Sequence, residues 1–201
     1  MDHFTEDFQM IHASYRQRIY RYLSRLVGQS EAEDLTQEVF LRVSRGLADF
    51  RGTAKLSTWI YRIATNVATD RLRSRSFKET QSGKANSPDE GSIENVYAFS
   101  EDKNTSVERQ LMRDQMSSCV HDYINTLSEN YRAVVILSDI EEMNNQEIAD
   151  ILGLTLETVK IRLYRGRAKL KEMLATGCSF DRDEEDILVC DRKTDPGHSA
   201  E

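Results

Sequence analysis

Between Gln146 and Lys171 the chain reads QEIADILGLTLETVKIRLYRGRAKLK, and this stretch constrains the fold more than any other. Ile148, Ala149, Ile151 and Leu152 recur at helical spacing, Gly153 can adopt the positive φ of a sharp turn, and Thr155 can cap a following helix through its hydroxyl. In that second helix Leu156, Val159, Leu163 and Leu170 form an apolar stripe. Lys160, Arg162, Arg165, Arg167, Lys169 and Lys171 therefore point elsewhere, with no acidic residue among them. This is the pattern of a helix-turn-helix whose second helix suits a DNA groove. The alternative reading is a solvated basic helix.

The net charge of −7 over 201 residues is low for a DNA binder, so the distribution matters more than the sum. From Arg51 to Arg75 the charged residues are Arg51, Lys55, Arg62, Arg71, Arg73 and Arg75 against Asp70 alone. Together with the basic helix they predict two cationic surfaces. The acidic residues gather between Glu79 and Glu108 and in the tail after Glu172, where free segments can compete with DNA. The N-terminal residues lack a basic region followed by an apolar one, and no run reaches the length of a membrane span. The expectation is a cytoplasmic protein without membrane insertion. Three cysteines, Cys119, Cys178 and Cys190, are too few for a disulfide scaffold.

Helical periodicity dominates elsewhere. Phe8, Ile11, Tyr15, Ile19, Tyr22 and Leu26 step by three or four and predict one long helix ending at Gly28. Leu35, Val39, Val43 and Leu47 follow as a second stripe after a Ser30 cap. Phe50 to Ser57 reads as a loop, and Trp59, Ile60, Ile63, Ala64, Val67 and Leu72 as a third helix. From Phe77 to about Thr105 apolar residues are too sparse to offset the entropy of ordering. The predicted fold class is all-α: two small helical domains at 1–76 and 106–175, a flexible linker at 77–105, and an acidic, cysteine-containing extension at 176–201. A tether of that composition predicts that the orientation of the two domains varies in the free protein.

The order DLTQEVFLRV (34–43), FRGTAKLSTWIYRIATNVATDRLR (50–73), a tether, LSENYRAVVIL (127–137) and the helix-turn-helix resembles an extracytoplasmic-function (ECF) sigma factor of the sigma-70 superfamily, over about residues 4–174. The resemblance implies that the first domain is sigma region 2 and the second sigma region 4. It implies a dissociable subunit that recruits RNA polymerase core to promoter DNA, without catalytic activity or cofactor, under the control of an anti-sigma factor. On the helix from Asp34 to Ser44, Leu35, Val39 and Val43 face inward and leave a mixed outer surface. By resemblance, Asp34, Gln37, Glu38 and Leu41 of that surface dock on the clamp helices of the largest polymerase subunit, and the flap region is a further contact of the core.

The segment from Phe50 to Arg73 combines aromatic residues for stacking on opened bases with arginines for the backbone. Trp59 and Tyr61 diverge on a helix, and Trp59 is read as the structural one. The resemblance places the minus-ten element against Phe50, Lys55 and Ser57 of the loop and against Tyr61, Arg62, Asn66 and Arg73, with Asp70 on the same path. Asn66 suits base reading because its amide both donates and accepts; capping a neighbouring turn is its other reading. For the minus-thirty-five element the resemblance puts Thr158, Lys160, Ile161 and Arg162 near bases and Arg165 and Arg167 near phosphate. Ile161 departs from the small serine common in the family, so the family's base preference does not transfer.

The tail GCSFDRDEEDILVCDRK (177–193) has two short apolar stretches around an acidic turn, which predict a hairpin bringing Cys178 near Cys190. Two thiols with His198 make a poor zinc site, and the predicted metal set is none. Cys178 and Cys190 stay weak redox or metal candidates beside the simpler reading of a small acidic cap. A stand-alone helix-turn-helix regulator is the second functional class. A thiol oxidoreductase is the third, and it lacks CxxC spacing, a phosphate loop and a paired nucleophile and base.

Overall fold

A computed structural model describes residues 3–82, 119–182 and 188–193. The first apolar stripe forms α1 (His3–Val27), which stops at Gly28, where φ is 95°. Helix α2 (Gln29–Gly46) begins at once, and Gly28 occupies its N-cap without a side-chain bond. The expected Ser30 cap is therefore corrected: the glycine makes the reversal, and Ser30 lies inside the helix. A 3-10 turn (Leu47–Asp49) and a loop lead to α3 (Leu56–Ser82). No glycine or proline interrupts residues 77–82, so α3 continues past the boundary expected at 76. The remainder of the expected linker, from residue 83 to 105, lies outside the described residues.

The second block contains α4, described over residues 119–126, and α5 (Glu129–Val135), which runs into a wide π turn (Ile136–Ile140). Helices α6 (Asn145–Leu152) and α7 (Leu156–Gly177) form the helix-turn-helix. Asn144 starts α6 with a reciprocal capping box: its side chain accepts from Gln146 and Glu147 amides at 3.0 Å, and the Glu147 carboxylate accepts from the Asn144 amide at 2.9 Å. Gly153 closes α6 in the left-handed conformation, with φ of 64°, and the Thr155 hydroxyl accepts from the Thr158 amide at 3.2 Å. Beyond α7 come strands β1 (Cys178–Arg182) and β2 (Leu188–Arg192), paired antiparallel with Cys178 opposite Arg192 and Phe180 opposite Cys190. The predicted tail hairpin is present.

Ile19, Leu23, Val39, Val43, Ile60 and Ala64 are buried in the first block, and Val134, Leu137, Ile148, Ile151 and Val159 in the second. Leu156 is corrected: it is 38% exposed at the first turn of α7. Gly166 supplies the contact that the stripe left open. A Cβ there would stand 3.0 Å from Val135 Cγ2, so α5 and α7 approach closely at this glycine and a larger residue would have to displace the valine.

In the structure α1 packs against α5 and α3 against α6. The clasp is polar. Glu141, buried just after the π turn, receives Arg25 Nη1 at 3.3 Å on one oxygen and the Tyr61 hydroxyl on the other. Burial, and then the Glu141 charge, push the Tyr61 phenol far above its ordinary value, which keeps it a proton donor. Arg132 reaches from α5 to the carbonyls of Leu26 (3.3 Å), Leu127 (3.1 Å) and Asn125, although burial lowers its basicity. A third tie joins Lys55 Nζ to Glu147 Oε1 at 2.8 Å.

Candidate polymerase and nucleic-acid interfaces

The outer face of α2 follows from its inner one. Leu35, Val39 and Val43 are buried, so Asp34, Gln37 and Leu41 are exposed and Glu38 partly so, paired with Arg42 one turn on. Leu41 is 57% exposed, an apolar residue set among carboxylates. The start of α2 is braced by Arg71, whose Nε and Nη2 reach both oxygens of Glu31 at 2.9 Å. The four residues expected to bind the polymerase thus share a rigid helical face, as a protein-docking surface requires.

The loop before α3 turns at Gly52, where φ is 69°. Its Phe50 ring lies 5.0 Å from that of Trp59, and Trp59 covers Gly46, where a Cβ would come within 3.0 Å of the indole. Trp59 is structural, as expected from the sequence. Ser57 is half-buried at the start of α3, and Arg62, Asn66, Asp70 and Arg73 are exposed, spaced along one side of the helix. Tyr61 is the correction in this group. It is completely buried, edge-on to Tyr22 at a centroid distance of 5.1 Å and bonded to Glu141, so it faces the second block instead of a DNA strand. Periodicity can separate Tyr61 from Trp59 but cannot reveal a partner eighty residues away.

The two expected DNA surfaces meet each other. Asn66 and Arg73 of α3 line a cleft of ≈ 540 Å³ together with Leu154 and with Arg162 of the recognition helix. A second cleft, of ≈ 420 Å³, is formed by Phe50, Arg51, Trp59 and Arg62 and closed by Asp150 of α6. Lys55, expected on the minus-ten strand, is instead held by Glu147, and the pair raises the lysine and lowers the carboxylate from their ordinary values through that hydrogen bond first. Helix α6 thus sets carboxylates against groups suited to phosphate.

On α7, Lys160, Ile161 and Arg165 are exposed, Arg162 is partly buried in the cleft, and the Thr158 hydroxyl lies 2.7 Å from that of Thr155. Arg167, expected near phosphate, is exposed and has an internal partner. Its Nε donates to Asp139 Oδ2 at 3.0 Å and its Nη2 to the Ser138 hydroxyl at 3.1 Å, which ties α7 to the π turn. Tyr164 was missed: it is 78% exposed among the cations, and its position off the buried stripe was the available signal.

In the tail, Cys178 and Cys190 converge as predicted, and Cys119 of α4 joins them, with all three sulfurs within 4.8 Å of one another. Burial, and then the neighbouring Cys178 and Cys119 thiols, push the Cys190 thiol up to about 12. His198 lies outside the described residues.

Residues 11–78 match the family model described as Sigma-70 region 2, and residues 117–170 that described as Sigma-70, region 4. The ECF RNA polymerase sigma factor SigW of Bacillus subtilis is 32% identical over 163 residues, covering 80% of this chain and 84% of that protein. SigE of Mycolicibacterium smegmatis, also an ECF sigma factor, is 36% identical over 161 residues, 79% of this chain and 58% of its own length. Among solved structures, the sigma factor RpoE from Bartonella quintana, in complex with the anti-sigma factor NepR, aligns with a TM-score of 0.64 at 21% identity, covering 85% of this chain and 98% of that one. CnrH, in complex with the cytosolic domain of CnrY, gives 0.59 at 20% identity over 86% and 90%. These two likenesses establish a shared fold.

Proposed function

Because this chain belongs to the sigma-70 family, in its ECF group, we propose that it binds RNA polymerase core through Asp34, Gln37, Glu38 and Leu41 and directs promoter-specific initiation. The observation that carries the reading is the pairing of a rigid, partly apolar outer face on α2 with a basic helix-turn-helix in the second block. Residues 1–76 act as region 2 and 106–175 as region 4. Asn66, Arg62, Arg73 and the Phe50 loop engage the minus-ten strand; Thr158, Lys160, Ile161, Arg162 and Arg165 read the minus-thirty-five duplex. The chain contributes binding energy and no catalytic group, and it works in the cytoplasm, where polymerase and promoter are.

The packed arrangement is the unengaged state. Asn66 and Arg162 cannot reach separate promoter elements while they line one cleft, so the blocks part when polymerase binds. An anti-sigma factor controls the protein by competing for the polymerase-binding surface. Run-off transcription with purified core polymerase tests the reading: transcripts from a cognate promoter depend on the added chain. Equal transcription without it overturns the proposal.

A further inference from the structure

The chain has three cysteines, and folding brings all of them to one place from α4, from the first residue of β1 and from β2. Cys119 Sγ and Cys178 Sγ stand 3.6 Å apart, and no pair of the three sulfurs is separated by more than 4.8 Å. We propose that Cys119, Cys178 and Cys190 form a three-thiolate site for a thiophilic d10 metal ion, Zn(II) or Cu(I), which clips the tail hairpin to the second helical block.

The spacing fits a shared ion. Metal–sulfur bonds of about 2.3 Å at tetrahedral or trigonal angles place sulfurs about 3.8–4.0 Å apart, so a few tenths of an ångström of side-chain adjustment closes the site. The spacing does not fit a disulfide between the strands. Cys178 pairs with Arg192 and Cys190 with Phe180, which makes the two cysteines diagonal neighbours on one face of the hairpin. Such positions lie about 7–8 Å apart, beyond the Cα separation of about 4.4–6.8 Å that a disulfide spans. A disulfide would also leave the third thiol unused.

The surroundings are built to hold this geometry. Gly177 ends α7 beneath Tyr123 of α4, where a Cβ would fall 1.9 Å from the tyrosine hydroxyl, so the glycine lets the hairpin start directly against α4. Tyr123 Oη lies 3.7 Å from Cys178 Sγ and can donate to it once it is a thiolate, the arrangement by which outer groups orient metal ligands. The strand returning to the base of the hairpin is anchored as well: the Lys193 amide donates to the Gly177 carbonyl at 2.9 Å and its ammonium to the Ala175 carbonyl at 3.1 Å. As each metal–sulfur bond forms, one thiol proton leaves to solvent, with no change of oxidation state. Three thiolates complete a trigonal Cu(I) site or leave Zn(II) a fourth position for water.

The test uses the full chain, purified with reductant and stripped of metal, titrated separately with Zn(II) and Cu(I) against chromophoric chelators of each. One equivalent of one ion is expected, and the two titrations decide which. A Co(II)-loaded sample is expected to show sulfur-to-metal charge-transfer absorption. Cys119→Ser, Cys178→Ser and Cys190→Ser should each weaken binding at least about tenfold while helix content by circular dichroism stays unchanged. Cys119→Ser is decisive, since a site confined to the hairpin would not notice it. Failure of the folded wild-type chain to retain either ion, or wild-type affinity in Cys119→Ser, overturns the proposal.

Discussion

Replacing Glu141 with alanine should open the protein. The carboxylate is 7% exposed and its partner Arg25 12%, and the same carboxylate accepts the Tyr61 hydroxyl. Removing one member of a buried ion pair costs about 3–5 kcal/mol, because the remaining charge stays dehydrated. Here the penalty falls on the contact between the blocks, since Arg25 and Tyr61 regain water once the blocks part. At about 1.4 kcal/mol per factor of ten, even 3 kcal/mol shifts the closed-to-open ratio by about two orders of magnitude. Tyr61→Phe, which removes only a hydrogen bond to a charged group, should cost less, about 1.5–3 kcal/mol. Small-angle scattering on the isolated protein provides the assay: the parent is compact, Glu141→Ala is extended with unchanged helix content, and Tyr61→Phe lies between. Fluorescence anisotropy with promoter duplex should show tighter binding in the same order. If Glu141→Ala scatters like the parent, the polar clasp does not hold the blocks together.

Four further outcomes follow from the geometry. Gly153→Ala meets no neighbour within 4 Å, so its cost is backbone strain alone at φ of 64°, about 1–2 kcal/mol, visible as a fall of a few degrees in melting temperature; an unchanged melt would mean the turn relaxes. Asp34→Lys with Glu38→Lys should abolish co-purification with core polymerase while leaving thermal stability intact, and retained association would remove that docking face. Asn66→Ala should reduce permanganate reactivity of thymines at a cognate promoter or change base preference there; normal opening with unchanged preference would leave Asn66 a bystander. Glu147 titrates below the ordinary carboxylate range because Lys55 and then the Asn144 amide bond to it. The stabilisation this provides is complete above the ordinary carboxylate value and is lost as pH falls through the lowered one. Lys55→Ala should raise the Glu147 midpoint measured by side-chain NMR, and an unmoved midpoint would show that the contact is absent in solution.

Local chemistry was legible in the sequence and long-range partnership was not. Gly28, Gly153 and Thr155 announce their turns through their own conformational preferences, and the tail announces its hairpin through two apolar stretches flanking an acidic turn. The capping box at Asn144 and Glu147 is equally local, but it precedes the apolar stripe and is not signalled by it. Tyr61, Lys55 and Arg167 show what a local reading lacks. Each has the right residue type for DNA, and each is engaged by a carboxylate from another element, Glu141, Glu147 or Asp139. Periodicity assigns a face to a side chain but not the element that covers that face. Cys119 shows the same limit: nothing in its neighbours indicates that a strand nearly sixty residues later begins beside it.

The Lys55–Glu147 contact changes what ionic strength does to this molecule. A basic side chain that reaches a phosphate normally sheds condensed counterions from the nucleic acid, and affinity falls steeply as electrolyte rises. Here the ammonium arrives already neutralised by its own protein, and the carboxylate it abandons must collect a cation from solution. Added electrolyte therefore loosens the internal bond and the external one together, and the two effects oppose. The free chain is buffered against salt at this position, whereas a chain held open on polymerase recovers the full sensitivity.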